Sequence, residues 1–149
     1  MPLALLFSSI FVLERQITQL TTQGIKKRLK WILMTKYRVL FHLDEGSNFR
    51  LKLALSNIEN LLTDLGEGEV SVELVVNGAG VKLFVTETCP VPNRIKKLVN
   101  RGVVFAICEN SLVANNLGRD FLLDTVEFVT SGVGELVKKQ AEGWVYIKP

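Results

Sequence analysis

Cysteine is scarce in this chain of 149 residues: two, Cys89 and Cys108, with nothing resembling a C-x-x-C pair. That excludes a disulfide scaffold. Histidine occurs once, as His42. One His and two Cys leave no zinc ligand set, so no metal is expected. Four prolines and 11 glycines exclude a collagen-like or low-complexity chain. No apolar run approaches the roughly 20 residues of a bilayer-crossing helix, so no stable membrane span is expected. What is present is ordinary for a folded domain: 48% hydrophobic and 22% charged residues.

The net charge of +3 is unevenly spread. Residues 1–33 carry Arg15, Lys26, Lys27, Arg28 and Lys30 against Glu14 alone. The other 13 basic and 14 acidic residues leave the remainder near neutral. No basic face for nucleic acid is expected there. The stretch MPLALLFSSIFVL is apolar, but Glu14 and Arg15 follow it and no A-x-A cleavage pattern appears. Residues 16–33 run polar to basic and suit an amphipathic surface helix. Met34 then leads into a strand-like run. Residues 1–33 therefore read as an N-terminal extension, and three readings stay open: translated sequence outside the fold, a tail that packs on a partner or membrane, or an export signal. The domain proper is 34–149.

That domain alternates apolar runs with helical periodicity. YRVLFHL (37–43) and VSVELVV (70–76) read as buried strands. Between them Leu51, Leu55, Ile58, Leu62 and Leu65 recur every three or four residues, with Ser47 as cap and Gly66 as stop. A short helix is expected over 79–85 and an irregular, proline-bounded loop over 86–92. Further helices are expected over 93–101 and 133–142, and a turn or short helix over 109–117. Strands are expected over 103–107, 125–129 and 144–148. The pattern predicts an α/β three-layer α/β/α sandwich with a mainly parallel five-stranded sheet.

In such a fold chemistry gathers beyond the carboxyl ends of the strands. Cys108 follows the third strand where a helix can begin, so the helix dipole should lower its thiol pKa and favour the reactive thiolate. A buried, inert Cys is the plain alternative, and Glu109 beside it opposes activation. Cys89 reads as an exposed loop cysteine of no special role, the alternative being that it resolves a sulfur adduct on Cys108 or pairs with it. His42 reads as a core histidine, or as an acid or base beside Cys108 if strands one and three are neighbours. Asp44 and Glu45 read as a solvated or capping pair. The G-x-G runs at Gly78–Gly80 and Gly132–Gly134 lack a third glycine, so the dinucleotide fingerprint is incomplete. Neither a P-loop nor a G-x-S-x-G elbow occurs.

The ordered motifs YRVLFHLDEG, NIENLLTDLG, VELVVNGAGVKLF, GVVFAICENSL and SGVGELVKKQAEGWVYIKP are similar to the DsrE/DsrF-like family of sulfur-relay proteins, over about residues 36–149. The resemblance implies the same sandwich, a cytoplasmic location, homo-oligomers (trimer or hexamer), and sulfur donor and acceptor proteins as partners. It places Cys108 at the persulfide-carrying position. It implies that His42, Asn77, Asn110 and Ser131 lie near the same pocket, with His42 and Asn110 as candidate helpers of Cys108; Asn77 and Ser131, with Gly78 and Gly132 of the glycine loops, are the candidate binding residues. No cofactor is implied. The expected function is thus a sulfur carrier or sulfurtransferase-like protein. The alternative is a non-catalytic oligomeric module holding a small anion or nucleotide at the glycine loops.

Overall fold

The computed structural model describes residues 22–26 and 35–149. The chain divides after Met34 into two units. Of the first, residues 22–26 are helical; the other expectations for the N-terminal extension lie outside the described residues. The second unit, Thr35–Pro149, carries the sheet and the candidate site.

Five strands form one sheet: β1 (Tyr37–Leu43), β2 (Val70–Val76), β3 (Val104–Cys108), β4 (Glu127–Val129) and β5 (Val145–Ile147), in the order β4-β3-β2-β1-β5. Every pairing is parallel. The helices are α1 (Asn48–Leu65), α2 (Pro92–Asn100), α3 (Glu109–Ala114) and α4 (Gly132–Ala141), with 3-10 turns at Gly78–Phe84 and Arg119–Phe121. The three-layer α/β/α sandwich expected from the sequence is the architecture seen. Strand order places β2 between β1 and β3, so strands one and three are not neighbours.

Local signals set the elements. The Ser47 side chain accepts from the Arg50 amide at 3.3 Å and starts α1. Gly66, at φ +88°, ends it with its N–H on the Leu62 carbonyl. Leu51, Ala54, Leu55, Ile58 and Leu62 make the buried stripe of α1. They meet Val39, Phe41 and Leu43 of β1, Val72, Leu74 and Val76 of β2, and Phe105 and Ile107 of β3 in the main core. Each buried Leu or Ile contributes about 2 kcal/mol.

The strand order explains where the helices lie. From β1 to β4 the chain steps one way across the sheet, and right-handed crossovers keep those connections on one face. The return from β4 to β5 reverses direction, so α4 crosses the opposite face, touching β1, β2 and β3. On that face the inward residues include His42, Ser71 and Glu73 as well as Leu40, Val75 and Ala106, all buried. Helix α4 therefore covers a partly polar sheet surface.

Candidate functional site

Cys108 is the last residue of β3 and the N-cap of α3. The register Cys108↔Val129 puts it level with the end of β4. Its residue surface is 4% exposed, and its side chain makes no capping hydrogen bond as a neutral thiol. The groups around the sulfur suit the anion instead. Burial pushes the thiol pKa up. The Ser111 hydroxyl and the backbone N–H groups of Gly132, Ser111 and Asn110 pull it down and prevail, leaving it below the ordinary 9.0. These donors come from two helix starts: Asn110 and Ser111 from α3, Gly132 from α4. The loop after β2 adds the third wall. Ser111 Oγ accepts from the Gly78 amide at 2.9 Å, and Asn115 Nδ2 donates to Ser111 O at 2.7 Å and Gly78 O at 3.3 Å. The Ser111 hydroxyl oxygen is thus occupied by Gly78, which leaves its hydrogen for the sulfur.

Gly132 sits where it does because it lacks a side chain. A Cβ there would lie 2.9 Å from Asn77 Cβ and 3.2 Å from Cys108 Cβ. The bare backbone at the head of α4 is wedged between Asn77 and Cys108, which brings its N–H to the sulfur. The other end of α4 is fixed by charge. Lys139 Nζ lies 2.9 Å from Glu73 Oε2 and 4.6 Å from the centre of the Trp144 ring. Glu73 is 3% exposed, with Oε1 unpartnered. Burial pushes its pKa up; Lys139 opposes this without cancelling it, and Glu135 and Glu127 add to the rise.

His42 does not adjoin Cys108, because β2 intervenes. Its ring joins two other groups: Nδ1 is 2.8 Å from the Tyr146 hydroxyl, and Nε2 is 3.0 Å from Asn77 Oδ1. Asn77 then stands between His42 and the Gly132–Cys108 contact. His42, Asn77, Gly132 and Cys108 are brought to one end of the sheet, with Tyr146 added from β5. Asn110 contributes its backbone N–H, which also donates to the Thr130 carbonyl at 3.3 Å; its side chain is exposed. Ser131 is engaged as the α4 N-cap, accepting from the Gly134 amide at 3.1 Å.

The glycine loops prove to be packing devices. Gly78 has φ +54°, and a Cβ there would fall 2.9 Å from the Asp44 carbonyl oxygen. At Gly80 it would fall 2.8 Å from the Leu43 carbonyl oxygen. The amides are spoken for: Gly78 by Ser111, Gly80 by Asn77 and Asp44 carbonyls, Gly134 by Ser131. An anion or nucleotide at Gly78–Gly80 or Gly132–Gly134 would have to displace these bonds or the approach to Cys108. Two further expectations change. Cys89 is half-buried against the core, and burial raises its thiol pKa over a smaller opposing effect of the Val91 backbone. Glu109 turns its carboxylate to Arg119, whose cation neutralises it, so it does not oppose the thiolate. Asp44 pairs with Lys148 at 2.6 Å, which holds its carboxyl below the usual range despite partial burial. Glu45 lies 3.6 Å from Arg50 in a more exposed pair.

Ser111, like Tyr146 of β5, is a site residue that the sequence did not single out. Its signal was the spacing: a residue three after an N-cap lies over the cap, but only once the helix is known to start at Glu109. Among the described residues no helix is long and apolar enough to cross a membrane, and no cluster of three or more His, Cys, Asp or Glu forms a metal set.

Comparison with known proteins bears on the family and the fold. The family model described as "DsrE/DsrF-like family" matches residues 37–149. A solved structure of a protein of unknown function from Methanobacterium thermoautotrophicum is 40% identical, with a TM-score of 0.72, and covers 76% of this chain and 99% of its own. No curated protein matches.

Proposed function

The chain belongs to the DsrE/DsrF-like family, and from that premise we propose that it is a sulfur carrier in which Cys108 holds sulfane sulfur as a persulfide. The observation that supports this reading is the set of donors around one sulfur: a hydroxyl and three backbone N–H groups from two helix starts. Donors placed before reaction favour the thiolate without reorganisation.

The chemistry needs no outside oxidant or reductant. The Cys108 thiol yields its proton to water. The thiolate attacks the outer sulfur of a donor persulfide or polysulfide; the new S–S bond forms as the donor's breaks, and the donor's inner sulfur leaves with the electron pair. An acceptor thiolate then attacks the outer sulfur of the Cys108 persulfide and releases the Cys108 thiolate. Asn110, Ser111 and Gly132 carry the negative charge at Cys108 at each stage. Donor and acceptor proteins and a trimeric or hexameric assembly in the cytoplasm belong to the same proposal. Exposed Val133 and Val137, one turn apart on α4, give the protein an apolar face beside the site for self-association.

The test is intact mass after inorganic polysulfide and desalting. Wild type and Cys89→Ser should each gain about 32 Da per added sulfur, and Cys108→Ser should gain nothing. An adduct kept by Cys108→Ser overturns the assignment. Light scattering checks assembly: a strict monomer at micromolar concentration rejects that part.

A further inference from the structure

Helix α4 is held to the sheet by little apolar contact. Of its side chains only Leu136 is both apolar and buried; Val133 and Val137 are exposed. Apolar burial is non-directional, so one leucine resists lifting of the helix more than sliding along the sheet. The directional contact is the ion pair of Lys139 Nζ with Glu73 Oε2 at 2.9 Å. Glu73 stands in the middle of β2, every residue of which is buried. Taking both charges out of water largely offsets their attraction, so such a pair adds little to stability. What a buried pair does well is select one register among several of similar energy.

Register matters because of what the head of the helix does. Helix α4 meets β2 and its end at two places. Gly132 is wedged against Asn77, the residue after β2, and gives its N–H to Cys108. Lys139 reaches Glu73, four residues back along the strand. Four strand residues span about 13 Å. Seven helix residues span about 10.5 Å, and the lysine stem covers the rest. The helix therefore runs back along β2, attached at both ends of this stretch. A slip of one residue along its axis is about 1.5 Å, enough to take the Gly132 N–H out of hydrogen-bond range of the sulfur. We infer that Glu73 and Lys139 are positioning residues whose buried ion pair sets the register of α4 on β2 and thereby brings Gly132 to Cys108. This rests on the reading of Cys108 as the reacting sulfur and adds a pair remote from it.

The test is the pH dependence of Cys108 alkylation by iodoacetamide in Cys89→Ser protein, with urea denaturation alongside. Glu73→Gln is nearly isosteric, and Glu135 stays 3.6 Å from the Lys139 ammonium, so the fold is kept. Charge alone predicts that removing an anion favours the thiolate and moves the profile to lower pH. The register reading predicts the reverse. The tether weakens, the Gly132 donor withdraws, and the profile moves to higher pH, with slower labelling at pH 7. Glu73→Met combined with Lys139→Met removes both charges of the pair and leaves neither of them stranded. That double variant should keep the urea midpoint and show a larger displacement to higher pH. A Glu73→Gln profile that is unmoved, or moved to lower pH, overturns the inference. So does a folded double variant with the wild-type profile; if the double variant does not fold, Glu73→Gln decides alone. Alkylation needs no sulfur uptake. Wild type that takes up no sulfur from inorganic polysulfide therefore overturns the carrier reading, while the direction of the Glu73→Gln displacement still decides the register.

Discussion

Gly132→Ala is the sharpest probe of how α4 meets Cys108. The added carbon would stand 2.9 Å from Asn77 Cβ and 3.2 Å from Cys108 Cβ. Relaxed carbon–carbon contacts need about 3.5–4.0 Å, so the head of α4 must retreat by several tenths of an ångström. Neither obstacle is a flexible chain end; both are Cβ atoms fixed to strand ends. Overpacking of this kind costs about 1–3 kcal/mol, and the better helix propensity of Ala returns up to about 1 kcal/mol, leaving a net loss of about 1 kcal/mol. The larger effect falls on chemistry. The Gly132 N–H is one of four donors lowering the Cys108 pKa. Losing most of it should raise the thiol pKa, because one of the groups holding it down is withdrawn while burial still pushes it up. At neutral pH the thiolate fraction falls, and alkylation slows with it. The assay is iodoacetamide labelling against pH in a Cys89→Ser background, with urea denaturation for stability. A variant that loses stability yet keeps the wild-type labelling profile would refute the reasoning and leave Gly132 a packing residue only.

Three other substitutions test separate parts of the structure. Ser111→Ala removes a hydroxyl donor at the sulfur and the acceptor of the Gly78 amide; its labelling profile should move to higher pH, and an unmoved profile would discount the hydroxyl. Lys139→Met strands the buried Glu73 carboxylate and should cost about 3 kcal/mol near neutral pH by urea denaturation. The folded-state pKa of Glu73 is already raised above its ordinary 4.5 by burial. Its contribution to stability is therefore complete below 4.5 and lost as pH rises through the folded value, and Lys139→Met should amplify that loss. A cost equal at about pH 4 and pH 7 would contradict the assignment. Arg94 bonds Glu59 through both Nε and Nη2, at 2.8 and 2.6 Å, and tethers α2 to α1. Arg94→Lys cannot keep both bonds and should cost about 1 kcal/mol, whereas an unchanged urea midpoint would show that the fork contributes nothing.

The elements were legible because a parallel sheet buries both faces of its strands: YRVLFHL and VSVELVV are continuous apolar runs for that reason. The same rule concealed Glu73, which sits inside such a run and is buried because Lys139, more than sixty residues later, reaches over the sheet to it. Cys108 could be read as a strand-to-helix junction, though the strand extends one residue further than expected and includes it. What surrounds Cys108 could not be read. Gly132 looked like a loop glycine for an anion, and only the packing of α4 against Asn77 shows it as a wedge. Glu109 looked like an opposing charge until the turn at Arg119–Phe121 brought a cation to it. Strand order is the common cause. It seats β2 between His42 and Cys108 and puts Tyr146 beside His42, and local patterning does not specify it.

The measurement that bears most directly on the site is the titration of Cys108 itself, read from the pH dependence of its alkylation in Cys89→Ser protein. Donors from two helix starts predict a thiol that ionises below the ordinary 9.0. A midpoint at or above that value would mean that burial prevails, and a sulfur so placed would not be a carrier.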